Sequence, residues 1–125
     1  MIVVDTSVLI DHLRGRAEAR SSLREAVEHG QLLTASVLTK VEVTAGMRSA
    51  ERSAVATLFR VVEWHSVTDA IAEEAGELAR RYHRSHHTID LVDFVIAATA
   101  SAHDAEVWTL NVKHFPMVAD LRPPY

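Results

Sequence analysis

The sequence predicts a three-layer α/β domain in which a mostly parallel central sheet of four or five short strands is flanked by helices. Segments with strand character alternate with segments of helical spacing along the chain, which is typical of this class. The first segment, Ile2 to Val4, is β-branched without polar alternation, as expected for a parallel strand covered on both faces. With 125 residues, 48% of them hydrophobic, we expect a single domain over residues 1–125.

Four further elements are predicted in the N-terminal half. A helix begins near Thr6, directly after the first strand. A second helix covers 17–29, where apolar residues recur at helical spacing. A short apolar strand over 32–35 then leads into a helix over 36–48, and the hydroxyl of Ser36 fits the N-cap of that helix.

Five elements follow in the C-terminal half. A helix over 50–60 precedes a β-branched strand over 61–64. Thr68 fits the N-cap of a long helix with one apolar face and a charged outer face. An apolar helix over 91–103 and a strand over 106–109 complete the alternation of strands and helices.

Composition excludes several classes of protein. The chain has no cysteine, so disulfide scaffolds, thiolate metal sites and cysteine nucleophiles are ruled out. No apolar run approaches the roughly 18 residues of a membrane helix, and no basic stretch precedes the first strand. We therefore expect a cytoplasmic protein without a membrane segment. The net charge of -4 is not that of a general nucleic-acid coat, so contact with RNA or DNA would need a local patch or a metal.

Two acidic residues occupy positions where solvation is expected to be poor. Asp5 follows the first strand, at the edge of a parallel sheet where ligands bind, although it could also be a simple N-cap for the helix at Thr6. Glu42 lies between Val41 and Val43 near an apolar helix face, and the alternative is an exposed helix edge. Neither position identifies a site by itself.

Asp93 is the third acid of this kind, because it interrupts the apolar stretch 91–98. Its alternative is a capping box in which Asp90 is the N-cap and Asp93 the third helical residue. If the three acids meet on one side of the sheet, their charges need a cation. An all-oxygen cluster without cysteine or a nearby histidine suits Mg²⁺ or Mn²⁺, which can activate water for phosphodiester hydrolysis.

Four segments of the chain form a recognisable pattern: VVDTSVLI, TKVEVTAGMR, DFVIAATA and WTLNVKHF. Over essentially its whole length the sequence resembles the PIN-domain ribonucleases, especially the VapC toxins of bacterial toxin–antitoxin pairs. The resemblance implies that Asp5, Glu42 and Asp93 are catalytic residues and ligands of Mg²⁺, for which Mn²⁺ can substitute. It also implies supporting hydroxyls from Thr6 or Ser7, a homodimer, cleavage of cellular RNA, and inhibition by a VapB-like antitoxin that inserts a tail near the acidic pocket.

The sequence departs from the family pattern in one region. Many family members carry a fourth acid around Asn111 and His114, where both residues here are neutral or weakly basic. Asn111 could still coordinate through its amide oxygen or hold a metal-bound water. Asp90 is a weaker candidate for the missing acid. The departure leaves a second function open, that of a degenerate binding module which pairs with an antitoxin-like partner and cleaves no RNA.

A basic and histidine-rich stretch precedes the helix of Asp93. Its members are Arg80, Arg81, His83, Arg84, His86 and His87. The three arginines could hold RNA phosphates while a metal acts on one bond. The alternative is a solvated helix end whose cations complement the helix dipole.

Overall fold

A computed structural model describes residues 1–125 and contains four strands, six α-helices and two 3₁₀ turns. The elements are β1 (Ile2–Val4), α1 (Thr6–Leu13), α2 (Ala17–Glu28), β2 (Leu33–Ser36), α3 (Val37–Gly46), α4 (Arg52–Val61), β3 (Glu63–His65), α5 (Asp69–Tyr82), α6 (Leu91–Ala102) and β4 (Glu106–Trp108), with 3₁₀ turns at Ser49–Glu51 and Val112–His114. None of the helices combines the length and apolar composition that a bilayer crossing requires.

The four strands form one parallel sheet in the order β3-β2-β1-β4. In β1, Ile2 lies opposite Leu33 of β2 on one side and Glu106 of β4 on the other. The chain builds outward from β1 to β3 and then returns to the free side of β1 to add β4. This reversal creates a topological switch point between β1 and β4, and open parallel sheets bind ligands at the carboxyl side of such a point.

Helices cover both faces of the sheet, which confirms the predicted three layers. Ile2 and Val4 pack into a core with residues of α1 to α4, whereas Val3 packs on the opposite face with residues of α5 and α6. All three side chains of β1 are therefore buried, and the exposed fraction of none exceeds 1%. Burial on both faces explains why β1 shows no polar alternation.

The two predicted hydroxyl caps are confirmed. The Ser36 Oγ accepts a hydrogen bond from the Leu38 N–H over 3.2 Å at the start of α3. The Thr68 Oγ1 accepts one from the Ile71 N–H over 3.2 Å at the start of α5. Each bond satisfies a backbone donor that has no partner inside its helix.

Helix α3 ends at Gly46, two residues before the predicted end at Arg48. Met47 adopts an extended conformation with φ -71° and ψ 148°, which breaks the helical ladder. The Arg48 N–H then donates to the Glu51 Oε1 over 2.7 Å and opens the 3₁₀ turn. The Glu51 carboxylate thus binds the Arg48 N–H that a longer α3 would have used, whereas hydrophobic periodicity alone predicts that the helix continues to Arg48.

The third strand begins two residues later and ends one residue later than its sequence pattern predicts. It spans Glu63–His65 rather than 61–64, because α4 continues through Val61. The Val61-Val62 pair has strand propensity, but Val62 is instead the residue that ends α4 and enters the core with an exposed fraction of 4%. Burial of Val62 therefore accounts for its place at the end of α4, whereas Val61 is an exposed residue of the last helical turn.

Candidate active site

Asp5 lies immediately after β1 and is buried, with an exposed fraction of 4%. It occupies the N-cap position of α1, but its side chain makes no capping hydrogen bond. The simple capping role considered for Asp5 is therefore wrong. Its Oδ2 instead accepts hydrogen bonds from the Ser7 Oγ over 2.9 Å and from the Thr109 Oγ1 over 2.7 Å.

Thr109 is a site residue that sequence reasoning missed. It directly follows β4 and is fully buried, and its hydroxyl hydrogen bond to Asp5 links the end of β4 to the end of β1. The backbone reinforces this junction, since the Asp5 N–H donates to the Trp108 carbonyl over 2.8 Å. The sequence contained one indication of this role. Thr109 stands at the carboxyl end of the last predicted strand, and Asp5 stands at the carboxyl end of the first predicted strand, on the same side of the sheet.

Glu42 is brought to the same region by the residue that follows Asp5. The Thr6 Oγ1 donates to the Glu42 Oε1 over 2.6 Å, and the Thr39 Oγ1 lies 3.3 Å from the Thr6 Oγ1. Glu42 is half-buried, so the exposed-edge alternative is wrong. Thr6 thus supports Glu42, whereas Ser7 supports Asp5.

Asp93 forms the capping box that was considered as its alternative role. The Asp90 Oδ1 accepts from the Val92 N–H over 3.1 Å, and the Asp93 Oδ2 accepts from the Asp90 N–H over 3.3 Å. Asp93 is nevertheless also electrostatically coupled to the β1 edge. Burial and the negative charge of Asp5 raise the pKa of Asp93 from 3.8 to about 6. Capping and proximity to Asp5 therefore coexist in one side chain.

The expectation of an acid cluster without a nearby histidine is wrong. The His114 Nδ1 lies 3.2 Å from the Asp93 Oδ2. The 3₁₀ turn after β4 places His114 beside the start of α6. His114 and Asp93 are 21 positions apart in the sequence, so residue spacing does not predict this contact. Three carboxylates, four hydroxyl groups and one imidazole therefore lie at this end of the sheet, without the three carboxylates closing around a single point.

The donor chemistry of these residues fits a hard divalent cation. Carboxylate oxygens are preferred ligands of Mg²⁺ and Mn²⁺, and the unfavourable charge of Asp93 beside Asp5 is what such a cation would offset. No three His, Asp or Glu side chains are already grouped as a metal site. Mg²⁺ usually binds one or two carboxylates and keeps several waters, so it does not need a closed protein cage.

Of the remaining predicted residues, Asn111 joins this hydrogen-bonded region only through its backbone, and the three arginines lie outside it. Asn111 is exposed and contributes its backbone N–H, which donates to the Thr109 Oγ1 over 3.0 Å. Arg80, Arg81 and Arg84 are exposed and form no hydrogen bond or ion pair with the three acids. They are carried by the segment whose His83 ring packs edge-on against Phe94, the neighbour of Asp93, with ring centroids 6.4 Å apart.

Comparisons with known proteins agree with this architecture. The PIN domain family model matches residues 2–120. Ribonuclease VapC19 of Mycobacterium tuberculosis is 47% identical over 125 residues, covering 100% of both chains. Ribonuclease VapC10 of the same organism is also 47% identical, covering 100% of this chain and 93% of the relative.

Two solved structures are similar in fold. A toxin–antitoxin complex from Klebsiella pneumoniae matches with a TM-score of 0.80 and 28% identity, over 100% of this chain and 98% of that chain. VapBC2 from Rickettsia felis, bound to a DNA fragment from its promoter, matches with a TM-score of 0.82 and 19% identity, over 97% and 96% of the two chains. At 19% identity the second likeness concerns the fold alone.

Proposed function

The chain belongs to the PIN-domain family, and from this membership we propose that it is an endoribonuclease toxin that requires Mg²⁺ and is neutralised by a VapB-like antitoxin. Relatives that are 47% identical over the whole chain are named ribonucleases. The observation that carries the proposal is the burial of Asp5 without a capping bond. A buried carboxylate that makes no capping hydrogen bond is costly unless it serves another function, and binding a cation is such a function.

Asp5, Glu42 and Asp93 are the residues that would hold the cation. When bound, Mg²⁺ polarises the scissile phosphate and makes water a better nucleophile. The carboxylate of Glu42 or of Asp93 accepts the proton of the attacking water. Water adds at phosphorus as the bond to the 3′-oxygen breaks, and the leaving 3′-oxygen takes a proton from solvent, so the products are a 5′-phosphate and a 3′-hydroxyl.

The test is incubation of the purified protein with total RNA, with Mg²⁺ and with EDTA, followed by mapping of the cut ends. We expect cleavage with Mg²⁺, none with EDTA, and none by Asp5→Asn at any Mg²⁺ concentration. Asp104→Asn is the matched control, because Asp104 is exposed and its φ of 50° suits asparagine equally well. RNA cleavage by Asp5→Asn at the wild-type rate would overturn the proposal.

The same experiment separates the enzyme from a degenerate binding module. A module of that kind would leave RNA intact at every Mg²⁺ concentration and would respond only to its partner, through a rise in melting temperature. We propose the enzyme, because the binding function alone gives no reason for a buried Asp5 held by two hydroxyls.

A groove away from the acids supports the antitoxin part of the proposal. It has a volume of about 680 Å³ and lies between α1, α2 and α4, where Leu23, Val27 and Val61 line its apolar floor. Val27 and Val61 are 49% and 57% exposed, and Arg20 and Arg24 flank them. An antitoxin segment with one apolar face and acidic neighbours fits this surface.

Val27→Asp should therefore abolish copurification with the cognate antitoxin while RNA cleavage stays at the wild-type level. The matched control is Val41→Asp, because Val41 is a 63% exposed valine outside the groove. Retained copurification of Val27→Asp would place the antitoxin elsewhere. The homodimer and the cytoplasmic location stay predictions, and sedimentation and cell fractionation test them.

A further inference from the structure

Two series of hydrogen bonds lead from the turn after β4 to one oxygen of Asp5. In the first, the Asn111 N–H donates to the Thr109 Oγ1 over 3.0 Å, and Thr109 donates to the Asp5 Oδ2 over 2.7 Å. In the second, the Leu110 N–H donates to the Ser7 Oγ over 3.2 Å, and Ser7 donates to the same Oδ2 over 2.9 Å. Both series end on the Oδ2 atom of Asp5.

The number of protons on each group decides which group donates in each hydrogen bond. A hydroxyl carries one proton, and a backbone N–H can only donate. Because each hydroxyl accepts from a backbone N–H, its own proton remains available for Asp5. The hydroxyl of Thr109 is also enclosed, since Thr109 has an exposed fraction of 0%. It is therefore a directed donor that water cannot replace.

The result is an asymmetric carboxylate. Oδ2 of Asp5 accepts both hydroxyl hydrogen bonds. Oδ1 accepts no hydrogen bond from the protein, and it is not among the atoms that are buried without a partner, so it is open to solvent. Glu42 and Asp93 show the same asymmetry, because protein donors contact only Oε1 of the first and only Oδ2 of the second. One oxygen of each acid is held by the chain and the other is left free.

We propose that Thr109 is a positioning residue which, with Ser7, fixes the Asp5 carboxylate so that its Oδ1 is presented to the divalent cation. The inference rests on the proposed metal-dependent function and adds the residues that orient the ligand. Groups that hold a metal ligand through its second atom typically contribute about 10–100-fold in metal affinity. Thr109 should therefore control the affinity of the metal and not only the stability of the fold.

The experiment measures Mn²⁺ binding to the full chain, from the electron paramagnetic resonance signal of free Mn²⁺ during a titration. Thr109→Val keeps the shape of the side chain and removes the donor, so we expect affinity to fall by about 10–100-fold. Thr109→Ser restores the hydroxyl and should bind within about threefold of wild type. Thr34→Val is the matched control, because the fully buried Thr34 hydroxyl donates to the Ile2 carbonyl in the same sheet.

The outcomes separate the inference from the function on which it depends. If the wild type binds no Mn²⁺, the metal-dependent function fails. If the wild type binds Mn²⁺ and Asp5→Asn does not, but Thr109→Val binds as the wild type does, only the positioning role is overturned. If Thr109→Val does not fold, Ser7→Ala replaces it, because Ser7 is half-buried and donates to the same Oδ2. Unchanged Mn²⁺ affinity of Ser7→Ala then overturns the inference.

Discussion

The His114 Nδ1 lies 3.2 Å from the Asp93 Oδ2, at the start of α6. The side chain of His114 is 39% exposed and that of Asp93 is 12% exposed, so the imidazole is the more exposed partner of a mostly buried carboxylate. A fourth acid in this region would add negative charge beside Asp93. Histidine instead donates to the carboxylate and lowers the electrostatic cost of the site when no cation is bound.

Replacing this histidine by an acid should make the fold depend more strongly on metal. In His114→Asp, a carboxylate replaces the donor beside Asp93, and we expect a loss of roughly 1–3 kcal/mol of unfolding free energy in EDTA. Saturating Mg²⁺ should restore more stability to this variant than to the wild type. Thermal melts in EDTA and in Mg²⁺ measure both effects, with His114→Asn as the neutral control. Equal Mg²⁺-induced shifts in the two variants would contradict the prediction.

Asp93→Asn should stabilise the metal-free protein above pH 6. The folded-state pKa of about 6 exceeds the ordinary 3.8, so the folded state binds the proton more tightly. The stability that results is fully present below about pH 4 and is lost as the pH rises through 6. Asparagine carries no charge and should be more stable by roughly 1–3 kcal/mol at pH 7.5.

Urea unfolding in EDTA at pH 5, 6.5 and 7.5 tests this prediction. The stability of Asp93→Asn should vary less with pH than that of the wild type. The side-chain carbonyl oxygen of the introduced asparagine can still accept from the Asp90 N–H, so the capping box is not the cause of any difference. A variant that is less stable than the wild type at pH 7.5 would show that the charge of Asp93 stabilises the fold.

The first strand and the positions of the buried acids could be predicted from local pattern, whereas the role of the three acids came from the family resemblance. Ile2 to Val4 is an apolar run, and an acid at its end is conspicuous in any parallel-sheet interpretation. The cap of α5 at Thr68 likewise depends only on neighbouring residues. Features of this kind need no knowledge of which distant segments meet.

The hydroxyls of Thr6 and Ser7 were expected beside the acids, whereas Thr109 and His114 were not identified as their partners, because both come from distant parts of the chain. Thr109 is 104 positions from Asp5, and Glu42 is 36 positions from Thr6. A threonine at the end of a strand is common, and only the pairing of β1 with β4 makes this one a donor to Asp5. His114 was likewise ambiguous until the turn after β4 placed it on Asp93.

Asp90 should act as a helix cap and not as a metal ligand. Its side chain is bound to the Val92 N–H at the start of α6, and the residue is exposed. Asp90→Ser keeps a capping oxygen and should retain stability and RNA cleavage, whereas Asp90→Ala should lose about 1 kcal/mol. Thermal melts and an RNA cleavage assay measure these effects. Loss of cleavage by a stable Asp90→Ser would instead assign Asp90 to the catalytic site.

Acidification should destabilise the protein partly through His65. Its ring stacks on that of His103 with centroids 4.0 Å apart, and its Nε2 is buried without a hydrogen-bond partner. Burial, and then the charge of His103, lower the pKa of His65 from 6.5. The unfolded state therefore binds the proton more tightly, and the stability present above pH 6.5 is lost as the pH falls below it.

His65→Phe keeps an aromatic ring against His103 and removes the unpartnered nitrogen. We expect the variant to gain about 1 kcal/mol at pH 7.5 and to lose less stability than the wild type between pH 7 and pH 5. Urea unfolding across this range measures both effects, and His87→Gln, which replaces an exposed histidine, is the matched control. If the wild type and His65→Phe lose equal stability on acidification, the sensitivity to acid arises elsewhere, and His12 is the next residue to replace. The pKa of His12 is also lowered, by burial and then by Arg20, and its Nδ1 is likewise buried without a partner.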